Sequence, residues 1–382
     1  MAAKTIQGRD PISGAFVEML IEGGVIRSMT PVRPGEELWI SPGLIDLQVN
    51  GYAGCDLNSD SLTPDLVTKL MHHLFSAGVT TFVPTLITAS EDRLIAALRA
   101  VAEARERCPL VRQVAPYVHV EGPHIAAGDG PRGAHPGDQV RPADVAEFER
   151  WQAASGNLVG MVTLSPHDDR ALAYIAHLAR RGCLPAIGHT DADPEQIHAA
   201  AKAGAVLSTH LGNGLAGELP RHPNLLWAQL AEDRLSATFI ADGFHLPPDT
   251  LQTMVRAKGV ERSILVSDTV SLAGLPPGRY ATPIGGSVEL TEDGRVGIPG
   301  TKTLAGAALP LIRGVAHLAR LPGFSLRDGI LAATQNPGRF VGHRGTLQVG
   351  ARADLIQFRW VPGGEIDLIQ VLVGGESPVG GR

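Results

Sequence analysis

Four short apolar runs in this chain each stop on a side chain able to bind a metal or carry a proton. The mostly apolar run from Val114 to Val120 ends in Glu121, and Gly122-Pro123 then breaks the strand. Leu184-Pro185-Ala186-Ile187-Gly188 ends in His189, and Ala205-Val206-Leu207-Ser208-Thr209 ends in His210. Ser263-Ile264-Leu265-Val266-Ser267 ends in Asp268. A fold that gathers several strand ends at one mouth would turn this repetition into a site.

The rest of the chain fits such a fold. Strand-like runs over 42–48, 79–86, 114–120, 158–164, 184–188, 206–209, 235–240 and 263–267 alternate with segments of helical period. Leu66, Val67, Leu70, Met71 and Leu74 fall on one helical face, as do Leu94, Ile95, Leu98, Val101 and Ala102. Pro194 is placed to open a helix in its first turn. Eight strands alternating with helices predict an α/β fold, a parallel (β/α)8 TIM-like barrel. Its strand ends would carry Gln48 and Asn50, Thr85, Glu121, Ser165, His189, His210, Asp242 and Asp268. After the eighth strand, 280–298 predicts a hairpin turning at Glu292-Asp293-Gly294, a lid or an interface. Gly285-Gly286 lacks a following lysine and reads as a turn, not a phosphate loop.

Both ends of the chain have another texture. Phe16-Val17-Glu18-Met19-Leu20-Ile21, Gly23-Gly24 and Val25-Ile26 predict a hairpin, and 353–358 and 367–373 predict strands. We expect one small β-sandwich domain from residues 1–41 and 343–382, with the barrel over 42–342. A net charge of -6 leaves no basic footprint, so no nucleic acid is expected as a partner. No apolar run is long enough for a membrane span, and the first residues lack a signal-peptide core. Three scattered cysteines, Cys55, Cys108 and Cys183, suit a reducing, cytoplasmic setting.

Glu121, His189 and His210 lie far apart in sequence and form no local metal motif, but barrel closure would bring their strand ends together. Two imidazoles and one carboxylate with an open position make a ligand set for one catalytic divalent metal, zinc or iron(II). Asp268 would face them from the eighth strand as a general base and acid.

Pro42-Gly43-Leu44-Ile45-Asp46, His119-Val120-Glu121-Gly122-Pro123, Gly188-His189-Thr190, Thr209-His210-Leu211-Gly212-Asn213, Ala241-Asp242-Gly243-Phe244-His245 and Val266-Ser267-Asp268 occur in this order. With that order and spacing the chain resembles the N-acetylglucosamine-6-phosphate deacetylases of the amidohydrolase superfamily over nearly its whole length. The resemblance implies the barrel with a flanking sandwich from both termini, commonly a homodimer. It also implies Glu121, His189 and His210 as metal ligands, Asp268 as catalytic acid and base, and His135 against the substrate. Asn213 and His245 would contact the sugar or phosphate, and Arg221 the phosphate, from the neighbouring subunit. Many amidohydrolases place His-x-His after the first strand for a second metal. Here Gln48-Val49-Asn50 stands there, which resembles the single-metal branch: both amides near the metal, neither a second-metal ligand. Gly214-Leu215 and Ala305, Ala307 and Ala308 depart from the commoner Ala-Met and serines, which bears on the substrate more than on the reaction. The alternatives are another N-acyl sugar, sugar phosphate or N-acyl amino acid as substrate, or a non-catalytic scaffold on the same fold.

Overall fold

The computed structural model describes residues 3–282 and 286–378. Eight parallel strands form one sheet in sequential order: Leu44–Val49, Val79–Ile87, Val118–Glu121, Val159–Leu164, Leu184–Ile187, Leu207–Ser208, Ser236–Ile240 and Ser263–Val266. The first and eighth strands meet at their C-terminal ends. Asp268 N donates to Gln48 O at 3.0 Å, Asn50 N donates to Thr269 O at 3.0 Å, and Val49 bridges Thr269 in parallel. The sheet therefore closes as a (β/α)8 barrel. Along the first strand Ile45 and Leu47 point into the barrel, and Leu44 and Val49 point out to the helices. Both faces are covered, which is why these strands read as continuous apolar runs rather than alternating ones.

The helices form where caps and spacing agree. Pro64–Ser76 starts with Thr63 accepting from Leu66 N and Pro64 in its first turn. It buries Val67, Leu70, Met71, Leu74 and Phe75 against the sheet. Pro194–Ala203 starts on a capping box between Asp193 and Gln196, as Pro194 foretold. Among the described residues no helix is long and apolar enough to cross a membrane.

The two ends of the chain meet in one six-stranded sheet, the small β-sandwich domain. Its spatial order is Asp367–Leu372, Leu355–Arg359, Trp39–Pro42, Lys4–Arg9, Phe16–Glu22, Val25–Pro31. Trp39–Pro42 is the stitch, antiparallel to Leu355–Arg359 on one side and parallel to Lys4–Arg9 on the other. Ile6, Met19, Ile26, Ile40 and Leu355 fill the domain's own core.

Three expectations need revision. Pro42 ends a strand of the terminal sheet instead of starting the barrel. The run 114–120 is not one strand: Pro109–Val114 is a helix, Ala115-Pro116-Tyr117 links it, and the strand is Val118–Glu121. Pro109 favours a helix start, and Pro116 has no N–H for either a helix or a ladder. The expected hairpin after the eighth strand is larger, a four-stranded antiparallel sheet of Gly278–Thr282, Gly286–Leu290, Arg295–Gly297 and Leu304–Ala307. Its turn at residues 291–294 is where Asp293-Gly294 placed it. Gly285 of the Gly285-Gly286 pair lies outside the described residues.

Gly43 joins the two units. Its N–H donates to Asp354 O at 2.9 Å, and a Cβ there would overlap Thr80 on the second barrel strand. Gly43→Ala is expected to lower unfolding stability by about 1–3 kcal/mol, the usual cost of overpacking. Denaturant titration measures it; an unchanged midpoint would mean that the junction is loose.

Candidate metal centre and active site

At the C-terminal mouth the barrel interior changes from aliphatic to polar. Glu121, His189 and His210, from the third, fifth and sixth strands, are all buried, and their ligand atoms lie within 4.8 Å of one another. Glu121 Oε1 is the focus. His210 Nε2 lies 2.9 Å from it, His189 Nε2 3.3 Å and Gln48 Nε2 2.9 Å. The two imidazole Nε2 atoms are 3.1 Å apart. Burial pushes the Glu121 carboxyl up, but the two imidazoles outweigh it and hold the group well below the usual carboxylate range.

The backbone is strained where the site is. His189, His210 and Asp268 have φ of 49°, 29° and 51°, half of the six described non-glycine residues at positive φ. Such a conformation costs roughly 1–3 kcal/mol per residue and persists only where its surroundings enforce it. Here it turns each side chain off its strand end into the mouth.

The donor set fits a divalent cation. His189 Nδ1 donates to Pro131 O at 2.8 Å, so its Nε2 presents a lone pair to the cluster, the usual support of a metal-binding imidazole. His210 Nε2 points at the same centre, and its Nδ1 is buried without a partner. Two imidazole nitrogens and a carboxylate this close, all buried, repel or need shared protons unless a cation lies among them. As an amidohydrolase ligand set they would hold one divalent ion.

Asp268 faces this cluster across the mouth. Its enclosed position pushes its carboxyl up to about 6, and the Glu121 charge adds to the effect. Asn50 Nδ2 donates to Asp268 Oδ1 at 2.7 Å. Gln48 and Asn50 therefore each direct an amide N–H to a carboxylate of the site.

A cavity of about 400 Å³ opens over these groups, lined by Asn50, Glu121, His135, His189, His210, Asn213, His245 and Asp268 among others. His135 is buried, with Nδ1 2.7 Å from Thr88 Oγ1 and Nε2 4.0 Å from Glu121 Oε2. Asn213 is tied to His210 O through its backbone N–H at 2.9 Å. His245 is tied to Asp242, Nδ1 to Oδ2 at 2.7 Å. Arg221 is the exception among the expected residues: it is exposed and does not line the cavity. Sequence reasoning passed over Thr88 and the roles of Pro131 O and Asp242. Asp242 carried a signal, since it ends the seventh strand three residues before His245; Thr88 and a backbone carbonyl carried none.

The comparisons with known proteins agree with this geometry. The amidohydrolase family profile matches residues 39–376. An N-acetylglucosamine-6-phosphate deacetylase of Bacillus subtilis (strain 168) is 31% identical over 88% of this chain and 87% of its own. An N-acetylgalactosamine-6-phosphate deacetylase of Escherichia coli O157:H7 is 32% identical over 89% of each. A solved mutant of the Mycobacterium smegmatis N-acetyl-D-glucosamine-6-phosphate deacetylase, in complex with N-acetyl-D-glucosamine-6-phosphate, superposes with a TM-score of 0.88. It is 26% identical and covers 99% of this chain and 100% of that one. With a matched family spanning nearly all of its length and a site built at the barrel mouth, the chain belongs to the amidohydrolase family, in its N-acetylglucosamine-6-phosphate deacetylase branch.

Proposed function

We propose that the protein hydrolyses the N-acetyl amide of N-acetylglucosamine 6-phosphate, giving glucosamine 6-phosphate and acetate. The observation that carries this reading is the convergence of Glu121, His189, His210 and Asp268 at one buried mouth under a sugar-sized cavity. The barrel, from its first strand at Leu44 to about residue 342, would hold the chemistry, and residues 3–42 with 343–378 the flanking domain. A cytoplasmic setting suits its three free cysteines.

Glu121, His189 and His210 would hold one divalent ion, zinc by preference for this donor set and iron(II) as the alternative. When bound, such an ion supplies Lewis acidity, lowering the pKa of water towards about 7 and polarising a carbonyl. The remaining work falls to the chain. Asp268 takes a proton from the attacking water as its oxygen bonds to the acetyl carbon. It then returns that proton to the sugar nitrogen as the C–N bond breaks, so one carboxyl serves as base and then acid. A carboxyl pushed up to about 6 suits both halves of that cycle near neutral pH. Asn50 would hold the carboxylate in line, and Gln48 would hold Glu121. His135 would contact the acetyl carbonyl or a sugar hydroxyl, and Asn213 and His245 the sugar phosphate.

Among the described residues no lysine or arginine lines the cavity. A phosphate dianion calls for a permanent cation, and arginine meets it with two donors at once. We assign that role to Arg221 reaching into the neighbouring subunit's cavity, in a homodimer whose two sites are each completed in trans. The C4 epimer stays in view as substrate, since the Escherichia coli relative is named for N-acetylgalactosamine 6-phosphate.

Acetate release from both phosphorylated sugars and from unphosphorylated N-acetylglucosamine tests the reading. Metal-stripped protein should be inactive, and one equivalent of zinc should restore turnover of a phosphorylated sugar. Asp268→Asn should lower kcat by about 10²–10⁴-fold while keeping one equivalent of zinc. Turnover undiminished in that variant would remove Asp268 from the mechanism.

Zinc should also stabilise the fold, by about 2.7 kcal/mol at a hundredfold excess over its dissociation constant. Glu121→Ala should lose that gain in thermal unfolding; a full gain would place the ion elsewhere.

Mixing tests the shared site. Arg221→Ala and Asp268→Asn proteins should each be nearly inactive, and after subunit exchange about a quarter of the sites should work, because half of the dimers carry one intact combination. No recovery despite exchange would show that Arg221 does not act across the interface.

A further inference from the structure

The turn after the seventh strand contains a carboxylate–imidazole hydrogen bond that amide hydrolysis itself does not require. Strand Ser236–Ile240 leads into Ala241-Asp242-Gly243-Phe244-His245. The Asp242 carboxylate is fully engaged within this turn. Its Oδ1 accepts from Phe244 N at 2.9 Å and from His245 N at 2.8 Å. Its Oδ2 accepts from His245 Nδ1 at 2.7 Å. Gly243, at φ +80°, supplies the left-handed step that folds the chain back over the carboxylate. The side chains of His245 and Asp242 are 12% and 6% exposed, so the contact is sheltered from water.

This arrangement decides what His245 can offer. An ionised carboxylate only accepts, so Nδ1 carries a hydrogen and Nε2 is the atom left for the cavity that His245 lines. Burial pushes the Asp242 carboxyl up, but its bonds to His245 and the two backbone amides outweigh burial and hold it below the usual range. The charged and titratable groups around the pair are few: Asp268 on the cavity side, and His317, whose ring lies behind Gly243. With Nδ1–H held by Asp242, Nε2 in the imidazolium form donates to an anion, and no described lysine or arginine lines the cavity, so His245 is the group from this chain best placed to meet an anion away from the metal ligands.

We propose that Asp242 is a positioning residue for recognition of the substrate's phosphate, fixing the orientation of His245 and which of its ring nitrogens faces the cavity. It rests on the reading of the substrate as a hexosamine 6-phosphate. Asp242 does not touch the reacting atoms, so its loss should weaken binding of the phosphorylated sugar and largely spare the chemical step. An asparagine there keeps the shape but not the charge, and its amide can turn either its oxygen or its NH₂ to Nδ1, so neither the aim of the ring nor which nitrogen carries the hydrogen stays fixed.

The test uses the zinc-loaded full-length enzyme as wild type, Asp242→Asn, His245→Gln and the double variant. KM and kcat are measured for N-acetylglucosamine 6-phosphate, with zinc content and thermal midpoint alongside. Asp242→Asn should raise KM about tenfold, the scale of one lost charge-assisted hydrogen bond, with the larger part of the loss in KM rather than kcat. His245→Gln should raise KM at least as much. The double variant should match His245→Gln alone, because a residue that acts through another adds nothing once that other is gone. Additive losses, a fall mainly in kcat, or lost zinc would overturn the positioning role. An unchanged KM in His245→Gln would overturn it even if Asp242→Asn failed to fold. Failure of the substrate reading looks different: the wild-type enzyme itself would release no acetate from the phosphorylated sugar.

Discussion

One carboxylate oxygen organises the mouth of this barrel. Glu121 Oε1 has His210, His189 and Gln48 within 2.9–3.3 Å, reaching it from the first, fifth and sixth strand ends. An isolated ionised carboxylate would not persist in so dry a place, since burying an uncompensated charge costs several kcal/mol. It is tolerated because donors converge on it, and a divalent cation among the same atoms would compensate it better still. The strand ends must therefore be held in register, and barrel closure does this. Asp268 N to Gln48 O and Asn50 N to Thr269 O join the first and eighth strands beside the site. The hydrogen bonds that close the sheet thus also set the distance between Asp268 and the ligand cluster.

Rigidity and strain concentrate in the same ring of residues. Beneath the ligands, His119 bonds Thr163, Thr163 bonds Thr209, and Thr85 accepts from Val49 N, a buried polar layer with contacts of 2.7–3.1 Å. This layer fixes the strands from below while His189, His210 and Asp268 hold left-handed backbone above it. The arrangement is preorganised: side chains that must meet a water, an ion and an amide are oriented before any of them arrives. Above the layer the open cavity is also lined by the apolar side chains of Ile87, Val270, Leu272 and Leu304. Few described polar groups beyond the metal cluster then remain in the cavity to meet a charged sugar, His245 and Asn213 among them.

What could be read from the residues alone follows a physical line. Strand ends are legible because a strand is linear: once the run before Glu121, His189, His210 or Asp268 is a strand, its terminus has one place to go. The barrel followed from the alternation of eight such runs with helical segments, and the terminal sheet from hairpin chemistry at Gly23-Gly24 and matching runs at the far end. Contacts made by turns and backbone were not legible. The support of His189 by Pro131 O joins a strand end to a loop through a carbonyl that every residue possesses. Thr88 meets His135 across two separate loops. The helix Pro109–Val114 was hidden because an apolar run just before a strand has no period long enough to separate the two. Arg221 shows the remaining limit, since it is exposed and lies outside the cavity that the sequence reading assigned it to serve.

The most direct test of the central claim is the X-ray absorption spectrum of the zinc-reconstituted protein at the zinc edge. The account predicts a first shell of nitrogen and oxygen only, at about 2.0–2.1 Å, with the outer-shell scattering of two imidazoles. A sulfur shell near about 2.3 Å, or the signature of a different number of imidazoles, would contradict it, and the ion would then have to be assigned to other residues than Glu121, His189 and His210.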